Sequence, residues 1–124
     1  MNESIDVVSS NYYKIKNHTL TKNENILYRG YCHNEIILSY IKGIAATAWL
    51  TLMIKKSSID KLEYSFDDKT HIISDFDLII RLSIFSNFDY TDEYLAYYRM
   101  HQNNESKNNH KEIKELIYII NKYQ

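Results

Sequence analysis

Hydrophobic and polar residues along this chain follow two different periods, which predicts a mixture of strands and helices. Short apolar or alternating runs bounded by turn residues predict strands at Ile5–Ser9, Tyr12–Lys16, Ile26–Arg29, Ala46–Ile54, Phe88–Tyr90 and Tyr94–Met100. Spacings of three and four residues predict helical segments at Glu35–Lys42, Ser57–Leu62, Ser74–Phe85 and Lys111–Tyr123, the last a packing helix. No internal repeat or linker divides the chain. We therefore expect one α+β domain over residues 1–124, with a short mixed sheet.

The predicted helix at Ser74–Phe85 has acidic residues at its start. Ser74 is a good N-cap residue, and Asp77 three positions later forms an acidic variant of the capping box. Asp75 then lies in the first turn, where the helix dipole favours a negative charge. Asp77 and Arg81 are four residues apart and can pair along one face. This leaves Asp75 without a partner on its own helix and free to face another group.

Composition excludes several classes of function. Hydrophobic residues make up 44% of the chain and charged residues 25%, as in a folded domain. A net charge of −1 gives no field that would attract nucleic acid, so no nucleic-acid partner is expected. Two glycines are too few for a phosphate-binding loop or a dinucleotide fingerprint. Cys32 is the only cysteine, which excludes an intrachain disulfide and favours a reducing, cytoplasmic setting.

The segment Ile36–Ile54 is nearly continuous apolar sequence with a length close to that of a membrane span. Lys42 interrupts it, and a lysine near the centre of a span costs about 2.5–3.5 kcal/mol. Gly43 beside it suits a break between two elements. We therefore favour a helix, a turn and a buried strand over a span, and membrane-peripheral contact is the alternative to a purely cytoplasmic protein.

Three motifs occur in a fixed order in the second half of the chain. They are Phe66-Asp-Asp68, Ser74-Asp-Phe-Asp-Leu-x-x-Arg-Leu82 and Asp92-Glu-x-Leu-Ala-Tyr-Tyr-Arg-x-His-x-x-Asn-x-Ser106. In this order and spacing they closely resemble the C-terminal, acceptor-side half of bacterial glycosyltransferase family 2 enzymes of the GT-A fold. The earlier run Ile5-Asp-Val-Val-Ser-Ser-Asn-Tyr-Tyr13 is similar to the middle section of that family, so the resemblance covers nearly the whole chain. It implies a partial GT-A-like domain and a role in polysaccharide biosynthesis.

The resemblance also implies roles for individual residues. Asp75 matches the general base that deprotonates the acceptor hydroxyl in inverting transfer from a sugar-nucleotide. His101 matches the histidine that helps to hold a divalent metal, manganese or magnesium. Arg99 is placed to meet a phosphate or carboxylate, Asp77 is assigned to substrate binding, and Gly43 corresponds to a glycine-containing loop near the donor site. The implied substrates are a sugar-nucleotide donor and a glycan or lipid-linked acceptor.

Each of these residues also has a plain structural interpretation. Asp75 can be an ordinary helix-start acid, since such acids are common without catalysis. His101 can be a loop histidine, because one histidine makes no metal site without further ligands. Arg99 can be the ion-pair partner of Asp92 or Glu93. The other histidines are interpreted as surface or packing residues: His18, His33, His71 and His110.

Family 2 enzymes begin with a nucleotide-binding half that ends in an Asp-x-Asp motif, and this chain begins where that half would end. Asp75-Phe-Asp77 has the letters of that motif but lies at a helix start within the acceptor-side pattern. We therefore expect the isolated chain to be inactive and to need no cofactor. It can be a gene fragment, one half of a two-chain enzyme, or a non-catalytic saccharide- or protein-binding module or scaffold. An exposed sheet edge would favour a second chain or self-association.

Overall fold

The computed structural model describes residues 4–42, 47–104 and 109–123. Its strands are β1 (Val7–Lys16), β2 (Thr19–Asn23), β3 (Met53–Ile54) and β4 (Phe88–Arg99). Its helices are α1 (His33–Ile41), α2 (Lys56–Ile59), α3 (Ser74–Ser83) and α4 (Asn109–Lys122), with a 3-10 turn at Trp49–Thr51. The predicted mixture of α and β structure is confirmed, and the four predicted helices lie within a few residues of their expected positions.

The sheet is built around β1, which has neighbours on both edges. β4 runs parallel to β1 along one edge, from the pair Val7–Phe88 to the pair Ile15–Arg99. β2 and β3 share the other edge and both run antiparallel to β1. The sheet is therefore short and mixed, as predicted.

The first two predicted strands are one continuous strand, and a tight turn follows it. Lys16 pairs with Thr19 across a two-residue loop, in which Asn17 has φ 50° and His18 has φ 63°. Two positive φ values are the geometry of a type I′ hairpin, whose twist matches that of the flanking strands. The chain thus returns at once as β2, over a polar stretch for which the sequence predicts only turns.

The strand predicted at Ile26–Arg29 does not form, because β2 already pairs with β1 at the position where this segment would return. In this part of the chain Gly30 alone joins the sheet, through a bridge to Phe88. The two predicted strands at Phe88–Tyr90 and Tyr94–Met100 form one strand, β4. Irregularities in its pairing with β1 lie between Tyr90 and Tyr94 and between Tyr94 and Ala96, and in this stretch Asn11 Nδ2 donates to the Asp92 carbonyl at 3.0 Å.

The predicted strand Ala46–Ile54 is also wrong over its described residues, which form the 3-10 turn and the short β3. In this segment, hydrogen bonds from side chains to the backbone replace the pairing with a neighbouring strand that was expected. Asn25 Oδ1 accepts the N–H of Ala48 at 3.0 Å, and Thr51 Oγ1 donates to the Ala48 carbonyl at 2.7 Å. The side chain of Met53 is 76% exposed, so this segment is not buried on both faces. No helix in the described ranges is long and apolar enough to cross a bilayer.

Helix α3 lies between two parts of the core. Ile79 packs in a cluster with Val7, Ile36 and Phe88, which joins α3 to α1 and the sheet. On another face of α3, Ile80 packs with Ile119 of α4. Helix α3 therefore packs against α1 and the sheet on one side and against α4 on another.

Helix α4 packs through a different face from the one its sequence pattern predicts. Leu116 contacts the core as expected, and Ile119 is the buried isoleucine of the helix. Three other isoleucines that share the helical spacing of Leu116, and that the pattern would place in the core, are more than half exposed: Ile113, Ile117 and Ile120. Polar residues of α4 make the other contacts: Glu115 binds the backbone just before α3, and Lys122 binds Asp77 of α3. A count of apolar residues does not detect such contacts.

Candidate functional site

The start of α3 is held by a residue from α4 rather than by its own cap. Ile73 is the N-cap and provides no side-chain hydrogen bond, while Ser74 is the first helical residue. The predicted capping role of Ser74 is therefore wrong, and its hydroxyl donates to the His71 carbonyl at 3.3 Å instead. The buried carboxylate of Glu115 accepts the N–H groups of His71, Ile72 and Ile73 at 2.9, 2.9 and 3.0 Å. These bonds fix the backbone just before Asp75.

Asp77 and Arg81 form the ion pair that their spacing predicts, with Arg81 Nε 2.9 Å from Asp77 Oδ2. The guanidinium of Arg81 also donates to the carbonyls of Tyr64 and Ser65 at 2.5 Å each, and it lies 4.1 Å from the centre of the Tyr64 ring. Arg81 therefore ties the loop before α3 to the helix.

Lys122 of α4 completes a buried ionic network. Its Nζ lies 2.7 Å from Asp67 Oδ2 and 3.0 Å from Asp77 Oδ1. Tyr118 donates to Asp67 at 2.8 Å. Burial opposes ionisation of Asp67, but the hydrogen bonds from Lys122, the Lys69 N–H and Tyr118 prevail and lower the pKa of Asp67 to about 2. Two carboxylates and a lysine thus join α4, α3 and the loop before α3.

The structure places the carboxylate of Asp77 inside this network, where it has no exposed surface. One oxygen accepts from Arg81, and the other accepts from Lys122 and the hydroxyl of Tyr123. Its acceptor sites are used within the protein. The geometry gives Asp77 a structural role rather than direct contact with a substrate.

Asp75 lies on the surface of α3 that faces an open pocket of about 360 Å³. The pocket is lined by Trp49, Phe66, His71, Ile72, Ser74 and Asp75. The rings of Trp49 and Phe66 meet edge to face, with centroids 5.6 Å apart and planes at 74°. An aromatic ring offers a flat apolar surface to the C–H face of a sugar, and a carboxylate accepts hydrogen bonds from its hydroxyls. The lining therefore suits a polyhydroxylated ligand.

The carboxylate of Asp75 has the properties of a usable base. Its Oδ1 accepts the N–H of Phe76 at 2.8 Å, which orients the group at the helix start. Burial raises the pKa of Asp75 above its ordinary value, and the hydrogen bonds from the backbone N–H groups of Phe76 and Asp75 oppose the rise only in part. A carboxylate with a higher pKa accepts a proton more readily, provided that the donor hydroxyl is within hydrogen-bond reach.

A second pocket of about 480 Å³ lies beside the first and shares Phe66 with it. It is lined by residues of the buried network and the loop before it: Tyr64, Phe66, Asp67, Asp68, Lys69, Tyr118 and Lys122. Although it is larger, Asp67 and Lys122 already pair with each other. We therefore regard the Asp75 pocket as the candidate site and the second pocket as its neighbour.

Arg99 is the last residue of β4, and His101 follows two residues later. Neither residue lines the Asp75 pocket. His101 is exposed; its N–H donates to Asn104 Oδ1 at 2.6 Å, and its Nδ1 accepts the N–H of Asn103 at 3.2 Å. Arg99 is exposed at the last position of β4. Gly43 lies outside the described residues.

The structure does not bring Arg99 to the acids of its own strand. At about 3.3 Å of rise per residue, Asp92 lies roughly 23 Å and Glu93 roughly 20 Å from Arg99 along the strand. Within the described ranges, no ion pair joins Arg99 to Asp92 or Glu93. The structural interpretation of Arg99 as their partner in the same chain is therefore wrong.

A metal site is not assembled by the part of the chain that the structure describes. No three histidine, cysteine, aspartate or glutamate side chains converge there in a way that could hold an ion. A metal at His101 would need ligands from outside these residues, so we derive no chemical step from one.

No family model matches this chain, and a search of curated proteins also finds no match. The candidate site therefore rests on the sequence motifs and on the geometry around Asp75. Sequence reasoning did not identify Trp49, Glu115 or Lys122 as residues of this region. The single tryptophan of the chain was the one available signal, since aromatic residues commonly line ligand pockets.

Proposed function

We propose that this chain is the acceptor-side part of a family 2-like glycosyltransferase with a partial GT-A fold, and that Asp75 is its general base. One observation carries the proposal. The carboxylate of Asp75 lies at the wall of a pocket whose other walls include Trp49 and Phe66. The match of Asp75 to the family motif adds support, because the same residue is selected independently by the sequence.

In the proposed reaction, a hydroxyl of the acceptor sugar lies within hydrogen-bond distance of Asp75. Its oxygen attacks the anomeric carbon of the donor sugar while its proton passes to the Asp75 carboxylate. The bond between the anomeric carbon and the phosphate oxygen breaks, and the nucleoside diphosphate leaves with that electron pair. Attack from the opposite side inverts the anomeric configuration. The raised pKa of Asp75 favours the proton transfer.

The surrounding residues support this role by fixing the position of Asp75. Glu115 holds the backbone at Ile73, and the bond between Arg81 and Asp77 holds the first turns of α3. A base that is held in place loses little entropy when the acceptor binds. His101 and Arg99 remain proposed contacts to the donor phosphates and a divalent metal. Neither residue lines the acceptor pocket.

Fluorescence tests the acceptor part of the proposal directly. Trp49 is the only tryptophan in the chain, so its emission reports on this pocket alone. Titration with a panel of neutral mono- and oligosaccharides should change the emission in a saturable way. Phe66→Ala should weaken the binding, whereas Asp60→Asn, at an exposed carboxylate beside Lys56, should leave it unchanged. No change with any saccharide would contradict the proposed acceptor pocket.

A second experiment separates catalysis from binding. The chain is supplied with the donor-binding half of a family 2 enzyme, a labelled sugar-nucleotide and manganese, and transfer to the saccharide found above is measured. Asp75→Asn should abolish transfer while the Trp49 titration still detects saccharide. If transfer survives in Asp75→Asn, the base assignment is wrong. Saccharide binding without any transfer would favour the alternative of a non-catalytic saccharide-binding module, which the same aromatic pocket supports.

A further inference from the structure

The outer edge of β4 is open over most of its length. One edge of β4 pairs with β1, and on the other edge the described residues pair only at Phe88, with Gly30. The N–H of Met100 donates to the Ile15 carbonyl at 2.9 Å, on the β1 side. Because backbone groups alternate in direction along a strand, those of Tyr97 and Arg99 point away from β1. They face the open edge.

The side chains along this edge form an alternating series. Glu93, Leu95, Tyr97 and Arg99 are all exposed, with Leu95 at 63% and Tyr97 at 60%. Natural proteins commonly protect an edge strand with lysine, proline or a β-bulge. β4 contains neither lysine nor proline, and the irregularities in its pairing with β1 lie between Tyr90 and Ala96, so its regular part begins there. The series runs from an acid through two large apolar residues to a base. A strand of this kind is complementary to itself when it is reversed.

We propose that two copies of this chain associate through β4, which pairs antiparallel with β4 of the partner subunit about a two-fold axis beside Ala96. This register sets Glu93 opposite Arg99 of the partner subunit, and Leu95 opposite Tyr97 of the partner subunit. Opposite charges and an aromatic–aliphatic pair are the cross-strand combinations that stabilise a sheet. The symmetry repeats both contacts, and the two sheets become one.

Backbone geometry agrees with this register. The backbone groups of Tyr97 and Arg99 point outward, so in this register they make the hydrogen-bonded pairs, with Leu95 and Glu93 of the partner subunit, and Ala96 faces Ala96 of the partner subunit in a non-hydrogen-bonded pair. This pairing requires the backbone of Leu95, which lies in the irregular stretch between Tyr94 and Ala96, to face outward as well. Such pairs bring the Cα atoms closest, to about 4.5 Å, where a small side chain fits. Asn104 Nδ2 donates to the Arg99 carbonyl at 3.4 Å, so we expect the main-chain pairing to centre on Leu95–Tyr97.

Other registers lose the charge pairing. A two-fold axis beside Leu95 sets Glu93 opposite Tyr97 and Arg99 opposite Thr91 of the partner subunit. An axis beside Tyr97 sets Arg99 opposite Leu95 of the partner subunit. Parallel pairing in register sets each charge beside its own kind, which is destabilising. The register about Ala96 is the one that joins Glu93 to Arg99.

Charge exchange tests the pairing. The molar mass of the full chain in solution is measured by light scattering over a wide range of protein concentration. The wild-type chain should reach the dimer mass, Glu93→Arg and Arg99→Glu should each be monomeric, and the double variant should dimerise again. Lys114→Glu reverses a positive charge, as Arg99→Glu does, but at an exposed position of α4, and should leave the dimer intact.

Circular dichroism and Trp49 emission show whether each variant is folded, and only folded variants are compared. A wild-type chain that stays monomeric at every concentration would overturn the proposal. So would a dimer that survives both single reversals, or a double variant that remains monomeric. A loss of the dimer in Lys114→Glu would also overturn it, because the interface would then include α4.

Discussion

Glu115 Oε2 accepts a hydrogen bond from the backbone N–H of Ile73 at 3.0 Å, which joins the last helix of the chain to the residue at which α3 begins. The same carboxylate holds His71 and Ile72. These residues form part of the wall of the Asp75 pocket. The shape of the pocket therefore depends on α4, although α4 contributes no side chain to its lining.

Glu115→Gln should destabilise the protein by about 1–3 kcal/mol. The substitution replaces a carboxylate by an amide with one acceptor oxygen, so either the N–H of His71 or those of Ile72 and Ile73 lose their partner. Urea denaturation measures the free energy of unfolding, and hydrogen exchange at His71, Ile72 and Ile73 should accelerate in the folded protein. Glu63→Gln, at an exposed position, should change neither quantity. Unchanged exchange at Ile73 would contradict the assigned role of Glu115.

Lys122→Ala should cost about 3–5 kcal/mol of stability, a larger effect than most single substitutions. Lys122 lies between Asp67 and Asp77, and its removal takes a cation from both buried carboxylates, of which Asp77 keeps its ion pair with Arg81. Chemical denaturation provides the measurement. Lys114→Ala on the same helix removes an exposed lysine and should be nearly neutral. A loss of stability in Lys122→Ala no larger than that in Lys114→Ala would mean that the network contributes little to stability.

Local sequence signals predicted much of the fold, and the failures share one cause. The spacing of Asp77 and Arg81 predicted their ion pair, since a helix brings positions four apart together. The capping role of Ser74 failed because a distant residue, Glu115, supplies the acceptor instead. The strand predicted up to Ile54 failed for a similar reason, because the side chain of Asn25 binds the backbone there. Contacts between residues far apart in sequence leave no local pattern.

The candidate site was likewise predicted only in part from the sequence. The sequence motif that resembles family 2 enzymes selected Asp75 without any structure, and the geometry adds its pocket and the cause of its raised pKa. The motif also selected Asp77, whose burial gives it a structural role. Arg99 and His101 follow in sequence but lie at the end of β4. A motif records which residues occur together, and only the fold separates those that line a pocket from those that hold it.

Stability should fall steeply in acid because of Asp67. Its pKa in the folded protein is about 2, below its ordinary value of 3.8. The stabilisation by the ionised group is therefore complete above about pH 5 and is lost progressively as the pH falls through 4 to 2 and below. The loss is on the order of 2 kcal/mol. Denaturation curves at several pH values give the free energy of unfolding as a function of pH. In acid this free energy should change less steeply with pH in Asp67→Asn than in the wild-type chain, and an equal slope would contradict the assigned role of Asp67.

Asp75→Asn should stabilise the folded chain at neutral pH while it removes the proposed base. Burial raises the pKa of Asp75, so the unfolded chain ionises at a lower pH than the folded chain. Stability therefore falls as the pH rises from the pKa of Asp75 in the unfolded chain to its pKa in the folded chain. Above the second value the whole loss of stability is present. Asparagine carries no charge and keeps an oxygen that can accept the N–H of Phe76.

The comparison is made by thermal unfolding of the wild-type chain and Asp75→Asn, first at neutral pH and then below the ordinary pKa of an aspartate. The variant should have the higher Tm at neutral pH, and the difference should shrink in acid, where both groups are uncharged. A lower Tm for the variant at neutral pH would show that Asp75 is an ordinary helix-start acid, stabilised by the dipole. Greater stability together with lost transfer is the combination expected of a residue retained for chemistry rather than for folding.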